Sequence, residues 1–155
     1  MSNLNSLFDL VAGLPPTGRS ALEGNFKQKA AESPILSEGM IAKIEDEAGV
    51  PVLTKLTSAS IGATTPPDYP WLIMTGADQT DATVANKLTA LACKSGLIFR
   101  VAHASPGGFA VGDLVFSSAG VLAKVTGAFE QAVGQVIETD ATAGYIIVAC
   151  GGSNT

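Results

Sequence analysis

The chain is poor in charge, in aromatic rings and in the residues that carry most enzyme chemistry. Only 15% of its 155 residues are Asp, Glu, Lys or Arg, against about a quarter in an average domain. Nine basic residues against fourteen acidic ones leave a net charge of −5, and the basic residues are scattered. That excludes the clustered Lys and Arg that phosphate-backbone binding requires, so no nucleic-acid partner is expected. There is one histidine, His103, beside Ser105 and Pro106. A histidine base needs a nucleophile and an orienting acid, and neither Ser105 nor Asp113 stands at the spacing of a known catalytic elbow. The two cysteines, Cys93 and Cys150, form no CxxC or CxxH pattern. With a single histidine they make no tetrahedral metal site, and they read as reduced thiols packed as small hydrophobes.

Other absences narrow the classes further. No run approaches the ~20 apolar residues needed to span a bilayer, so no membrane partner is expected. The start, Met1-Ser2-Asn3-Leu4-Asn5, carries no basic n-region, so no secretion signal is expected either. Pro106-Gly107-Gly108 lacks both the strand–helix setting of a dinucleotide site and the lysine of a phosphate loop. Asp78 and Asp81 lack the ligand density of a calcium loop. Glu45-Asp46-Glu47 reads as a solvated hairpin tip. The expectation is therefore no catalytic residue, no metal and no cofactor.

What the sequence does hold is a repeated pattern of apolar alternation stopped by short polar turns ending in glycine. The turns are Asp46-Glu47-Ala48-Gly49, Lys94-Ser95-Gly96, Ser117-Ser118-Ala119-Gly120 and Asp140-Ala141-Thr142-Ala143-Gly144. Hairpin loops of three to five residues usually need one residue at positive φ, which glycine adopts without a Cβ clash. Gly49, Gly96, Gly120 and Gly144 are thus expected as turn-forming structural residues. The flanks, from Gly39 to about Ser58, Leu97–Ala102, Val111–Phe116, Val121–Val125, Ala132–Ile137 and Tyr145–Ala149, read as strands. Residues 82–94 fit both a helical face (Val84, Leu88, Leu91) and alternation (Leu88, Ala90, Ala92), and the tight Gly96 turn favours a hairpin. The class is all-β: a small hairpin-built barrel or sandwich over residues 35–155.

Residues 1–34 differ. Leu4, Leu7, Phe8, Val11 and Leu14 recur at helical spacing up to Pro15-Pro16, so an N-terminal arm carrying a short helix is expected. Three turns are marginal alone. Two readings stay open: the apolar stripe docks on a neighbouring molecule, or it packs on its own barrel. Tyr69 and Trp71 stand after a proline-rich loop and at the head of the apolar strand Trp71-Leu72-Ile73-Met74. They could stack a sugar or base, although a tryptophan opening such a strand is more often core.

Several segments resemble one family. Val133-Gly134-Gln135-Val136-Ile137-Glu138, the Asp140–Gly144 turn and Tyr145-Ile146-Ile147-Val148-Ala149 are similar to the C-terminal hairpin of small bacteriophage head-decoration (capsid cement) proteins. A GDLV strand precedes that hairpin there, as Gly112-Asp113-Leu114-Val115 does here. Ser37-Glu38-Gly39-Met40-Ile41-Ala42-Lys43-Ile44 with Pro51-Val52-Leu53-Thr54 resembles their opening hairpin. The resemblance covers roughly residues 26–150 and leaves residues 1–25 out. It implies a non-enzymatic β-barrel protein, made in the bacterial host cytoplasm, on the capsid exterior of the virion. Its partners would be the major capsid protein and itself, as a trimer or, next, a dimer. Leu7, Phe8, Val11, Leu14, Tyr69 and Trp71 are then the expected contact residues. The alternative is a small-ligand or glycan-binding β-barrel module using Tyr69, Trp71 and the loop around His103.

Overall fold

The computed structural model describes residues 9–12, 21–30, 36–57, 69–75, 88–127 and 132–151. They form strands β1 (Asp9–Ala12), β2 (Ala21–Phe26), β3 (Ile41–Glu47), β4 (Val50–Lys55), β5 (Trp71–Thr75) and β6 (Leu88–Ala92). The series continues with β7 (Ile98–Ala102), β8 (Leu114–Ser118), β9 (Val121–Lys124), β10 (Ala132–Asp140) and β11 (Tyr145–Cys150). A six-stranded sheet has the order β1-β7-β11-β10-β8-β9, and a five-stranded sheet the order β2-β6-β5-β3-β4. Neighbouring strands in both are antiparallel. The fold is all-β. Among the described residues no helix is long and apolar enough to cross a membrane.

The glycine turns are where the sequence places them, with Gly49, Gly96, Gly120 and Gly144 all at φ between 82° and 95°. Two of the loops are shorter than expected. Glu47 pairs with Val50 and Ser118 with Val121, so the loops are only Ala48-Gly49 and Ala119-Gly120. Both alanines also have positive φ, 53° and 50°. Two consecutive positive-φ residues make the type I′ turn, whose twist matches that of paired strands. The turn at Gly96 needs a larger correction. Residues 88–92 are a strand, as expected, but β6 and β7 lie in different sheets. Lys94-Ser95-Gly96 is therefore a crossover between sheets and not a hairpin.

Burial follows the period of two in the first sheet. Phe99, Val101, Val115, Val136, Ile146 and Val148 point inward and meet Ile41, Leu56, Leu72 and Leu91 of the second sheet in one core. The second sheet is buried on its other face too, around Leu36, Ala42, Leu53, Ile73, Leu88 and Ala90. β5 is its central strand, so Leu72 and Ile73 each enter a different core. That is why Trp71–Met74 reads as continuously apolar.

One seam joins the sheets through the backbone. The Gly120 carbonyl accepts from Ile41 N–H at 2.9 Å, and Gly120 N–H donates to the Leu56 carbonyl at 2.9 Å. Ser117, 2% exposed, donates from Oγ to the same Leu56 carbonyl at 2.7 Å and accepts from Gly120 N–H at 3.2 Å. A Cβ on Gly120 would lie 2.6 Å from Met40 Cε and 3.1 Å from Lys55 Cβ. Gly120 is thus required twice, by its φ and by the closeness of β4.

The N-terminal expectation is corrected where it can be read. Val11 lies in strand β1, paired with β7, and not in a helix; Leu7, Phe8 and Leu14 fall outside the described residues. A short isolated helix is weak, and a sheet edge satisfies the same backbone groups at longer range. β2 likewise pairs with β6 at the edge of the second sheet. Just after it, Gln28 makes a parallel bridge to Leu53 at the opposite edge. The backbone of β1 thus pairs with its own domain, while the Val11 side chain stays exposed.

Three consequences can be measured by urea denaturation. Gly144→Ala should cost about 1 kcal/mol, from left-handed strain alone, since nothing lies within 4 Å of its Cβ position. Gly120→Ala should cost about 2–4 kcal/mol, because strain and overpacking add. Equal losses would mean that the seam tolerates a side chain. Ala48→Asn, which suits the exposed positive-φ site, should gain about 0.5 kcal/mol.

Candidate functional site

Tyr69 and Trp71 form the aromatic feature that the sequence singled out. Tyr69 is 55% exposed, while Trp71 is half-buried and packs against the second core. Their ring centroids are 5.7 Å apart at an interplanar angle of 53°. The pair therefore presents one free ring braced by a fixed one. Val11, the only expected arm contact among the described residues, is also exposed.

The His103 loop is elsewhere. His103 lines a cleft of about 150 Å³ with Glu38, Met40, Val101, Val121 and Leu122, among others, beside the Gly120 seam. Neither Tyr69 nor Trp71 lines it. The histidine Nδ1 accepts from Ser105 N–H at 3.0 Å, and Nε2 lies 2.8 Å from the Leu122 carbonyl. Only the tautomer protonated at Nε2 satisfies both contacts. Its ring also meets Phe109 edge-on at 4.7 Å. Both nitrogens are thus engaged by backbone, and His103 ties its loop to β9. Among the described residues no group of three His, Cys, Asp or Glu side chains could hold a metal ion.

The outer face of the first sheet is a further apolar surface, which sequence reasoning missed. Ile98, Leu114, Phe116, Ile147 and Ala149 are half-buried there, alternating with the inward residues of β7, β8 and β11. Val121, 55% exposed, pairs with Ser118 on the same face, and Ile137 is exposed at the bulge of β10. The signal was present in the sequence. Leu97-Ile98-Phe99 and Ile146-Ile147-Val148 are apolar at consecutive positions, so both faces of the sheet are apolar.

Polar groups on this sheet are engaged with one another. The Arg100 guanidinium lies over the Tyr145 ring at 5.4 Å, and the Tyr145 hydroxyl donates to Glu138 Oε1 at 2.8 Å. That hydrogen bond to a carboxylate pushes the Tyr145 hydroxyl above its ordinary value of 10.0. Asp113, from the GDLV segment, accepts from Ala110 N–H at 2.8 Å and pairs with Lys124 at 2.9 Å. First the amide and then the lysine hold its carboxyl below the usual 3.8. The role of Asp113 is to close the turn that opens β8.

Glu45, Asp46 and Glu47 are engaged in the same way, which corrects their reading as a solvated tip. Glu45 accepts from Lys29 at 2.7 Å and pairs with Lys43 at 3.1 Å. Asp46 accepts from Gly49 N–H at 3.2 Å, and Glu47 from Ala30 N–H at 3.2 Å. Together with the Gln28 bridge to β4, these bonds hold residues 28–30 against the first hairpin.

Compared with known protein families, with curated proteins and with solved structures, the chain matches none.

The acidic tip gives a pH test. Lys29, then Lys43, holds the Glu45 carboxyl below its ordinary 4.5. A depressed folded-state value means that the stabilisation is complete above about pH 4.5 and is lost as pH falls through the folded value. The carboxylate is partly solvated, so the pair is worth about 0.5–1 kcal/mol. Glu45→Gln should lower stability by that amount at pH 7, and the gap to wild type should close below pH 4.5. A gap unchanged down to pH 3 would show that the ion pairs contribute nothing.

Proposed function

We propose that this chain is a structural virion protein that binds the outside of a phage capsid and cements neighbouring major capsid protein subunits. The observation that carries the reading is the outer face of the first sheet. It carries apolar side chains on β7, β8 and β11, and Arg100, Tyr145 and Glu138 on it bond to one another. An apolar sheet face of this kind suits a protein partner. Of the segments similar to capsid-decoration proteins, the GDLV strand and the C-terminal hairpin fall on β8, β10 and β11, neighbouring strands of this sheet, and the opening hairpin falls on β3 and β4 of the other. A shell repeats one site many times, so a modest contact gains from effective concentration once the protein is oligomeric. A trimer, with a dimer next, is the form proposed here.

A second reading, a small-ligand or glycan-binding module, is favoured by the exposed Tyr69 ring standing on Trp71. Trp71 is the only tryptophan, so titration of its fluorescence with oligosaccharides discriminates the two. Saturable quenching supports the ligand binder, and no change supports the cement.

Sedimentation with empty shells tests the main reading directly. The wild-type protein should co-migrate at fixed stoichiometry. Val121→Glu and Ile137→Glu, both at exposed positions, should keep the wild-type melting temperature and weaken shell binding by about 1–3 kcal/mol each. Shell binding unaffected by either charge would remove this face from the contact. Absence of co-migration by the wild type would remove the function.

A further inference from the structure

We infer that Cys93 and Cys150 are a latent disulfide that clips the two sheets together. They are the only cysteines in the chain, they lie far apart in sequence, and the fold brings them into one core. Each is 7% exposed, and both lie in the one cluster of buried side chains between the sheets. Both are reduced in this structure.

The backbone on each side is already fixed. Cys93 follows β6, and its N–H donates to the Pro70 carbonyl at 3.1 Å. Cys150 ends β11, and its N–H donates to the Leu97 carbonyl at 2.8 Å. The crossover from Cys93 to Leu97 lies directly on the end of β11: a Cβ on Gly151 would stand 2.8 Å from Ser95 Cα. A bond between the sulfurs would thus join the five-stranded sheet to the six-stranded one at their shared crossover. It would also close a long loop in the unfolded chain, where a cross-link acts most strongly.

The oxidant class is a small-molecule disulfide such as oxidised glutathione. One cysteine thiolate attacks its sulfur, forming a mixed disulfide and releasing one thiol. The second cysteine thiolate then attacks the protein-bound sulfur, forming the Cys93–Cys150 bond and releasing the second thiol. Two protein thiols lose two protons and two electrons, and the oxidant gains them. Burial, and next the neighbouring Cys150 thiol, push the Cys93 thiol well above its ordinary 9.0, so little thiolate exists in the closed fold. Reaction therefore waits on opening of the exposed Lys94-Ser95-Gly96 turn, and reduction afterwards is slowed by the same burial.

The test uses the full chain and does not depend on what it binds. The protein is incubated with oxidised glutathione, quenched in acid, then denatured and alkylated with N-ethylmaleimide before intact-mass measurement. The expected result is a loss of about two mass units with no alkylation, against two adducts for the untreated protein. A digest without reductant should link the Cys93 and Cys150 peptides, and the oxidised form should melt about 5 °C or more higher. Two alkylatable thiols, stable glutathione adducts or disulfide-linked oligomers would each overturn the pairing. An oxidised form melting no higher than the reduced one would overturn its action as a clip.

Discussion

The hydrogen bonds between Gly120 and the strands of the first hairpin are the constraint on which this architecture rests. Sheets satisfy their own backbone groups, but sheet-on-sheet contact is otherwise apolar and sets no unique register. Here the β8–β9 turn enters between the start of β3 and the end of β4, and its two backbone groups bond to Ile41 and Leu56. Buried backbone groups must be paired, so the sheets can meet in one arrangement. Ser117 adds a second donor to the Leu56 carbonyl, and removing it would leave that carbonyl to Gly120 N–H alone, at a cost of about 0.5–1.5 kcal/mol. The cleft with Glu38 and His103 lies beside this seam, where the first sheet ends against the segment before β3.

Much of this could be read from the residues, for a physical reason. Glycine turns and period-two alternation are local, so the hairpins of Gly49, Gly120 and Gly144 were legible. Long-range pairing was not. Nothing around Gly96 distinguishes a hairpin from a crossover, because the difference lies in which strand comes next to β7. The helical spacing of Leu4 to Leu14 is also compatible with an edge strand at Val11, where β7 supplies the hydrogen bonds that a short helix would make internally. Gly134 shows the same limit. It sits inside β10, and a side chain there would collide with the Ala149 carbonyl of β11. That close approach is a property of the folded pair and leaves no mark in the surrounding residues.

The candidate site was legible only in part. Tyr69 and Trp71 stood out as aromatics in a chain with few, and they do form a contact. The outer face carries no motif of its own, because consecutive apolar residues fit a strand buried on both faces as well as one with an apolar outer face. In a sheet, consecutive apolar positions must lie on opposite faces. The second sheet covers both of its faces, as Leu72 and Ile73 show. In the first sheet the same pattern leaves Ile98, Leu114, Phe116 and Ile147 half-buried on the outside.

Scarcity of charge acquires a structural sense from this. Several of the charged residues are committed to internal bonds: Lys29 and Lys43 to Glu45, Lys124 to Asp113, Glu138 to Tyr145. Exposed pairs of this kind add little stability, but each withdraws a charge that would otherwise repel or attract a partner at long range. A surface so arranged gains little from electrostatic steering and must bind by area. Area-driven contacts between single molecules are offset by the loss of rigid-body freedom. On a repeating lattice that loss is shared among the linked copies of an oligomer. Under the capsid-binding role proposed above, an apolar face would gain most from a partner that presents the same surface many times over.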